Sequence, residues 1–213
     1  ELGSQVAGLV VEPLVQGAGG MRTYPEELLR GLRGLTRAHG VPMIADEVMT
    51  GFGRTGRLFA CQRAGIEPDV LCLAKGLTAG MLPLAATLAR EELFAAFLSD
   101  QRSRAFFHGH TFTANPIACT LARRSLELVL QERVPERLAR LGERIASGVA
   151  EALGERAERL RLRRLGGIVA LDLEPPPGAA AGYLSDLALE LRRRAIDRGV
   201  LLRPLGNVLY AMP

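Results

Sequence analysis

Apolar residues first come as unbroken runs and only later at helical spacing. Gln5–Val11 (QVAGLVV) is a continuous apolar run with β-branched residues, the pattern of a strand buried on both faces. A glycine-rich stretch (Gly17, Gly19, Gly20) follows, and Pro25 opens an amphipathic helix predicted to reach about His39 and close at Gly40. Val41–Ala45 reads as a second buried strand ending at Asp46-Glu47, Asp69–Leu73 as a third ending beside Lys75, and Leu84–Ala89 as a fourth. Strands alternating with helices imply βαβ units, hence an α/β fold with a mainly parallel sheet and sites at its carboxyl edge.

From about Asn115 to Glu158 the pattern is helical, and Glu136–Arg140 and Glu155–Arg159 are spaced as ion pairs on a solvated face. A short strand (Ile168–Leu173), a Pro/Gly/Ala loop (Pro175 to Gly182) and a helix from about Leu184 to Arg198 come next. Val200–Arg203 and Val208–Met212, joined by a turn at Gly206-Asn207, predict a closing hairpin. The change of pattern divides the chain into a sheet-bearing part of a large domain, 1–130, and a smaller α+β domain, 131–213. Both ends look cut, since an apolar strand starts almost at once after Glu1 and another run stops at Met212-Pro213. The lack of a leader at the start is therefore uninformative.

Hydrophobic residues at 48% and charged residues at 23% are the balance of an ordinary soluble protein. No apolar run reaches the roughly 18 residues of a membrane span. Cys61, Cys72 and Cys119 lack paired spacing, which argues for reduced thiols in the cytoplasm. His108 and His110 form an HxH without a third ligand nearby, so no metal is expected. The net charge of +4 is built almost wholly from arginine: Lys75 is the single lysine. Arginine is too strongly protonated to act as an amine nucleophile, whereas a lysine can lose its proton. Either that chemistry or simple escape from a compositional bias accounts for one lysine.

Asp46 and Lys75 fall at the ends of neighbouring predicted strands, so an acid and an amine face one cleft. A pyridoxal phosphate (PLP) site needs such a pair: the amine bonds the cofactor aldehyde, and the carboxylate keeps the pyridine nitrogen protonated. At about 4 Å and an effective dielectric near 20, that contact is worth roughly 4 kcal/mol, about 3 pKa units. On these residues alone an ordinary buried ion pair reads equally well. Gly51-Phe-Gly-Arg-Thr-Gly56 is a literal GxGxxG with Asp69 at a suitable distance, the fingerprint of an NAD-binding oxidoreductase. Against it stand Asp46 and Glu47 immediately upstream, a short following helix, and no role for Lys75. The arginine runs 159–164 and 192–194 would suit nucleic acid, but they interleave with leucine rather than aromatic residues, and solvated surfaces explain them better.

Three segments, IADEVMTGFGRTG (44–56), PDVLCLAKGLTAGMLPLAA (68–86) and FHGHTFTANPIAC (107–119), resemble the class III aminotransferases of PLP fold type I. The resemblance implies that Asp46 is the pyridinium aspartate and Lys75 the Schiff-base lysine. It also implies that Thr111, with Gly109 and His110 beside it, binds the cofactor phosphate of the other subunit in a homodimer. VVEPLVQGAGGM (10–21) and GVLLRPLGNVLYAMP (199–213) resemble the branch that converts 8-amino-7-oxononanoate to 7,8-diaminononanoate for biotin. There Arg203 matches the arginine for the keto acid carboxylate, and Pro204 holds it extended. Met49 stands where many ω-amino-acid aminotransferases carry glutamine, which disfavours that branch. His110 replaces a proline found in some diaminononanoate-forming enzymes, which leaves S-adenosylmethionine and lysine both open as amino donor. The resemblance also implies a missing N-terminal half and C-terminal stretch, so this segment alone is expected to be inactive.

Overall fold

The structure, a computed structural model, describes residues 5–158, 160–175, 178 and 180–213. β1 (Leu9–Val11) is shorter than the apolar run that contains it, because its parallel partner begins only at Met43, opposite Leu9. β2 (Val15–Gln16) and β3 (Arg22–Thr23) form a small antiparallel ribbon around the glycine-rich stretch. α1 (Glu26–Ala38) follows Pro25 and stops at His39, with Gly40 at φ 64° turning the chain back. Glu26 and Glu27 in its first turn complement the helix dipole, and Leu29 is fully buried beneath it.

β4 (Met43–Asp46) lies between β1 and β5 (Val70–Leu73), parallel to both, with α2 (Ala60–Ala64) in the second connection. β6 (Ala86–Ala89) completes the sheet in the order β1-β4-β5-β6 and runs antiparallel to β5. Residues 74–85 hold only a 3-10 turn, Lys75–Thr78, too little to make the crossover a parallel return needs. Met43 and Ala45 point into the core, whereas Ile44 and Asp46 share the opposite, less buried face.

After α3 (Glu91–Ala95) and a 3-10 turn, the helical stretch is two helices, α4 (Pro116–Gln131) and α5 (Val134–Leu153). They separate at Arg133, whose backbone is left-handed at φ 51°. The expected Glu136–Arg140 pair does not close; Arg137 reaches back to Glu132 at 2.5 Å instead. Arg159, half of the expected Glu155–Arg159 pair, lies outside the described residues.

β7 (Arg161–Leu165), β8 (Ile168–Asp172) and β9 (Val208–Ala211) make an antiparallel sheet in that order, with α6 (Leu187–Ile196) before β9. Two expectations fail here. β7 lies within a run read as solvated arginines, yet the Arg163 side chain is only 8% exposed, bound to both carboxylate oxygens of Asp172 at 2.5 and 2.6 Å and to Gly20 O at 3.1 Å. The closing hairpin is also absent: β9 pairs with β8, and Val200–Arg203 joins no ladder. Pro204 cannot donate to one, and only an isolated bridge links Leu205 and Val208.

Leu14, Val15, Leu29, Met43 and Met49 pack in one buried cluster with Ile168, Ala170 and Val208 of the second sheet. Each such side chain contributes roughly 1.5–3 kcal/mol by leaving water. One core therefore fixes both sheets against each other across the change of pattern near residue 130. Among the described residues, no helix is long and apolar enough to cross a membrane.

Candidate active site

Asp46 ends β4 directly opposite Cys72 of β5, and Lys75 follows Cys72 by three residues at the same edge of the sheet. Val48 N donates to Asp46 Oδ1 at 3.0 Å, while Oδ2 has no partner among the described residues. A carboxylate with one oxygen anchored and one free is oriented toward an outside donor. Lys75 is exposed, and its backbone is left-handed at φ 44°. A side chain with a Cβ adopts that conformation at a cost of roughly 1–2 kcal/mol, so the turn must be imposed by its surroundings. Glu12 stands at the same edge, one residue past the Val11↔Ala45 pair, and its Oε2 accepts from Gly17 N at 2.9 Å.

The residue after Asp46 was not singled out for chemistry, yet it organises the loop between β4 and α2. Glu47 is fully buried; its carboxylate accepts from Thr50 Oγ1 at 3.0 Å, Ala60 N at 2.7 Å and Cys61 N at 2.8 Å. Its own N–H donates to Cys72 O at 3.0 Å, tying the loop to the strand that leads to Lys75. Burial and the Glu47 carboxylate together push the Cys61 thiol far up, so it stays protonated. No local sequence signal marks this role, because Ala60 and Cys61 lie 13 and 14 residues beyond Glu47 and only the fold brings the start of α2 onto its carboxylate.

The GxGxxG reading fails on geometry. A Cβ on Gly51 would lie 2.9 Å from Glu47 O, and one on Gly53 3.1 Å from Pro135 Cα. Gly56 closes against the Gly166 backbone, and Gly167 N donates to Arg54 O at 2.9 Å. These glycines admit neighbouring protein, leaving no cradle for a pyrophosphate. Asp69, the supposed ribose acid, sits at the amino end of β5, at the sheet edge opposite this loop. The nucleic-acid reading is weakened likewise, because Arg193 and Arg194 both bind Glu190 and Arg163 binds Asp172.

The other expected residues are not brought to Asp46 and Lys75 by any hydrogen bond or ion pair. Gly109, His110 and Thr111 lie on an exposed loop held by local bonds, His110 N to Thr113 Oγ1 at 3.0 Å and Phe112 N to His110 Nδ1 at 3.1 Å. A Cβ on Gly109 would meet Thr113 Oγ1 at 3.9 Å, an ordinary contact. The N-terminal N–H groups of α4 are already capped by Asn115, at 3.0 Å to Ile117 N and 3.2 Å to Ala118 N. Thr111 therefore offers its hydroxyl from the loop rather than from the helix end. Arg203 is exposed, with no hydrogen bond or ion pair among the described residues. His108 and His110 join no cluster of three metal-ligating side chains among those residues.

An acid with one oxygen unbonded among the described residues, at the same sheet edge as an exposed amine, suits a cofactor that needs one of each. The chain belongs to the class III aminotransferases, whose family model matches residues 1–213. The mainly parallel α/β sheet is that of PLP fold type I. The chain is 48% identical to the adenosylmethionine-8-amino-7-oxononanoate aminotransferase of Synechococcus elongatus over 98% of its own length and 48% of the relative's. The enzyme of that name from Methanocaldococcus jannaschii matches at a TM-score of 0.84 and 32% identity, over 100% of this chain and 50% of that one. A PLP-bound amine transaminase from an uncultivated Pseudomonas species matches at 0.84 and 35%, over 98% and 47%. This chain thus spans about half the length of the relatives it matches.

Proposed function

We propose that this protein transfers an amino group to 8-amino-7-oxononanoate, giving 7,8-diaminononanoate, with PLP as cofactor and S-adenosylmethionine or lysine as donor. The observation that carries the reading is the placement of Asp46 and Lys75 at the carboxyl ends of adjacent parallel strands. Bound there, PLP supplies an aldehyde for an amine and a ring that withdraws electrons. The free Oδ2 of Asp46 holds the proton on the ring nitrogen. Lys75 Nζ would hold the cofactor through its aldehyde and, as a free amine, would carry the proton at the substrate carbon. Thr111, beside Gly109 and His110, offers its hydroxyl to the phosphate, and the Arg203 guanidinium takes the substrate carboxylate as a bidentate pair. Gly109 and Lys75 also border the substrate.

The acting unit is a homodimer in which Thr111 reaches the partner's cofactor. Phe94, Phe97, Phe106, Phe107 and Phe112 support this, being 48–76% exposed in and before the Thr111 loop. So large an aromatic surface suits burial against another protein surface. Residues 1–130 serve as part of the cofactor-binding domain and 131–213 as a smaller substrate-side domain. A cytoplasmic location fits the three unpaired cysteines. The test is to incubate the intact protein with PLP, reduce with borohydride and map the modified peptide, then supply 8-amino-7-oxononanoate with either donor. Label at Lys75 and diamine formation with one donor are expected. Label elsewhere, or no product with either donor, overturns the reading.

A further inference from the structure

We infer that Phe52 is the positioning residue for Lys75, a clamp that holds the lysine turn in its left-handed conformation. This rests on the proposed reading of Lys75 as the cofactor-bearing amine. Phe52 is 6% exposed and itself left-handed, at φ 61°. Its ring meets Phe59 edge-on, with centroids 5.8 Å apart and planes at 73°. Its other contact is the backbone just after the lysine: a Cβ on Gly76 would stand 3.0 Å from Phe52 Cβ and 3.0 Å from Cδ2. A Cβ there would push the ring back by a few tenths of an ångström. From α4, Ser125 Oγ donates to Gly76 O at 3.3 Å. The Gly76 peptide is thus held by the ring and by the serine, and Lys75 is the residue whose φ records that constraint.

The clamp stands on a rigid base. Gly51 N donates to Glu47 O at 3.0 Å and Gly53 N to Leu58 O at 3.2 Å, on either side of Phe52. The buried Glu47 carboxylate ties the start of this loop to α2. Asp46 immediately precedes the loop, so one segment fixes both chemical groups, the acid directly and the amine through Phe52. A purely structural Phe52 would contribute apolar burial alone. A positioning Phe52 also sets the backbone angle of a residue it does not adjoin in sequence.

Two readouts separate these roles. With 15N-lysine labelling, the Lys75 amide signal is identified by its loss in Lys75→Arg. At positive φ its intraresidue HN–Hα Overhauser effect is strong, because the two protons are close. The second readout is the apparent dissociation constant for PLP, from titration of the borohydride-trapped adduct on Lys75. Phe52→Ala is expected to abolish the strong Overhauser effect and weaken trapping about tenfold, the factor that 1.4 kcal/mol gives. Phe52→Leu, which lacks the ring that meets Gly76, is expected to weaken both about threefold and covers the case in which the alanine variant does not fold. Leu29→Ala, a core truncation under α1, lowers the melting temperature and moves neither readout. An unchanged Overhauser effect in whichever of Phe52→Ala and Phe52→Leu folds overturns the clamp, and so does an equal loss in Leu29→Ala. If the wild type traps no PLP at Lys75 while the Overhauser effect still depends on Phe52, the cofactor reading fails and the clamp on the turn stands.

Discussion

Replacing Asp69 with asparagine tests how the sheet that carries Asp46 and Lys75 is held at its opposite edge. The Asp69 carboxylate accepts from Arg33 at 2.5 and 2.9 Å, from Met43 N at 2.8 Å and from Arg90 at 3.2 Å. It thereby joins α1, β4, β5 and the end of β6. Side-chain exposure is 5% for Arg33 and 14% for Asp69, so solvent screens the pair only weakly. The Arg33 guanidinium, helped by the Met43 N–H, holds the carboxyl at about 2 against an ordinary 3.8. A carboxyl depressed on folding stabilises the native state above its unfolded pKa and loses that contribution as pH falls through the folded value. The shift corresponds to roughly 2 kcal/mol at pH 7, of which about half is gone by pH 3. Protonated aspartate and asparagine are near isosteres, so the wild type should exceed Asp69→Asn by about 2–3 kcal/mol at pH 7. The difference should shrink steadily below pH 4. Urea unfolding of both proteins from pH 7 to pH 3 measures it. A difference that stays flat over that range refutes the ionised bridge.

Two further outcomes are expected. In the folded protein, Cys119 should take up a thiol reagent quickly while Cys61 stays unmodified at pH 8, because the Cys61 thiol is buried beside Glu47 and its pKa is pushed up; mass mapping after timed alkylation reads this, and fast labelling of Cys61 would contradict the burial. Arg203→Ala should leave the melting temperature within about 1 °C, since the side chain is exposed and unbonded, yet weaken keto acid binding by tenfold or more while sparing the donor half-reaction; equal damage to both half-reactions would remove the assigned role.

The parallel core of the fold was legible because its strands are short apolar runs ending in residues that do not belong in a core. Asp46 and Lys75 stand out for that reason, and α1 is bracketed by Pro25 and Gly40 as its pattern predicts. The second sheet was legible only in part. β7 is three arginines and two leucines, and its pattern assigns the arginines to solvent. Arg163 instead points inward, because Asp172 on the neighbouring strand satisfies its fork. That partner is nine residues away and becomes visible only once the β7–β8 register is known. The supposed final hairpin failed for a similar reason: β9 had two candidate neighbours, and the better one, β8, was already formed elsewhere in the chain. Within the site, Glu47 and Phe52 went unnoticed because their roles depend on contacts with α2 and Gly76 rather than on residue type.

The glycines show why a motif can be present without its chemistry. Gly51, Gly53 and Gly56 satisfy the spacing of a dinucleotide loop, and the physical demand behind that spacing, close approach of backbone to something bulky, is also met here. What approaches is protein. Gly53 faces Pro135 at the start of α5, Gly56 faces Gly166 in the β7–β8 turn, and a Cβ on Gly142 of α5 would lie 2.1 Å from Gly166 O. The same turn receives the loop again through the Gly167 N–H on Arg54 O. So the loop that begins at Asp46 and carries Phe52 is pressed from behind by the second sheet and α5. Its front is left to the carboxyl edge, where Lys75 stands. A site whose acid and amine are set by one loop needs that loop immobile, and the glycines are what allow the second sheet to come close enough to immobilise it.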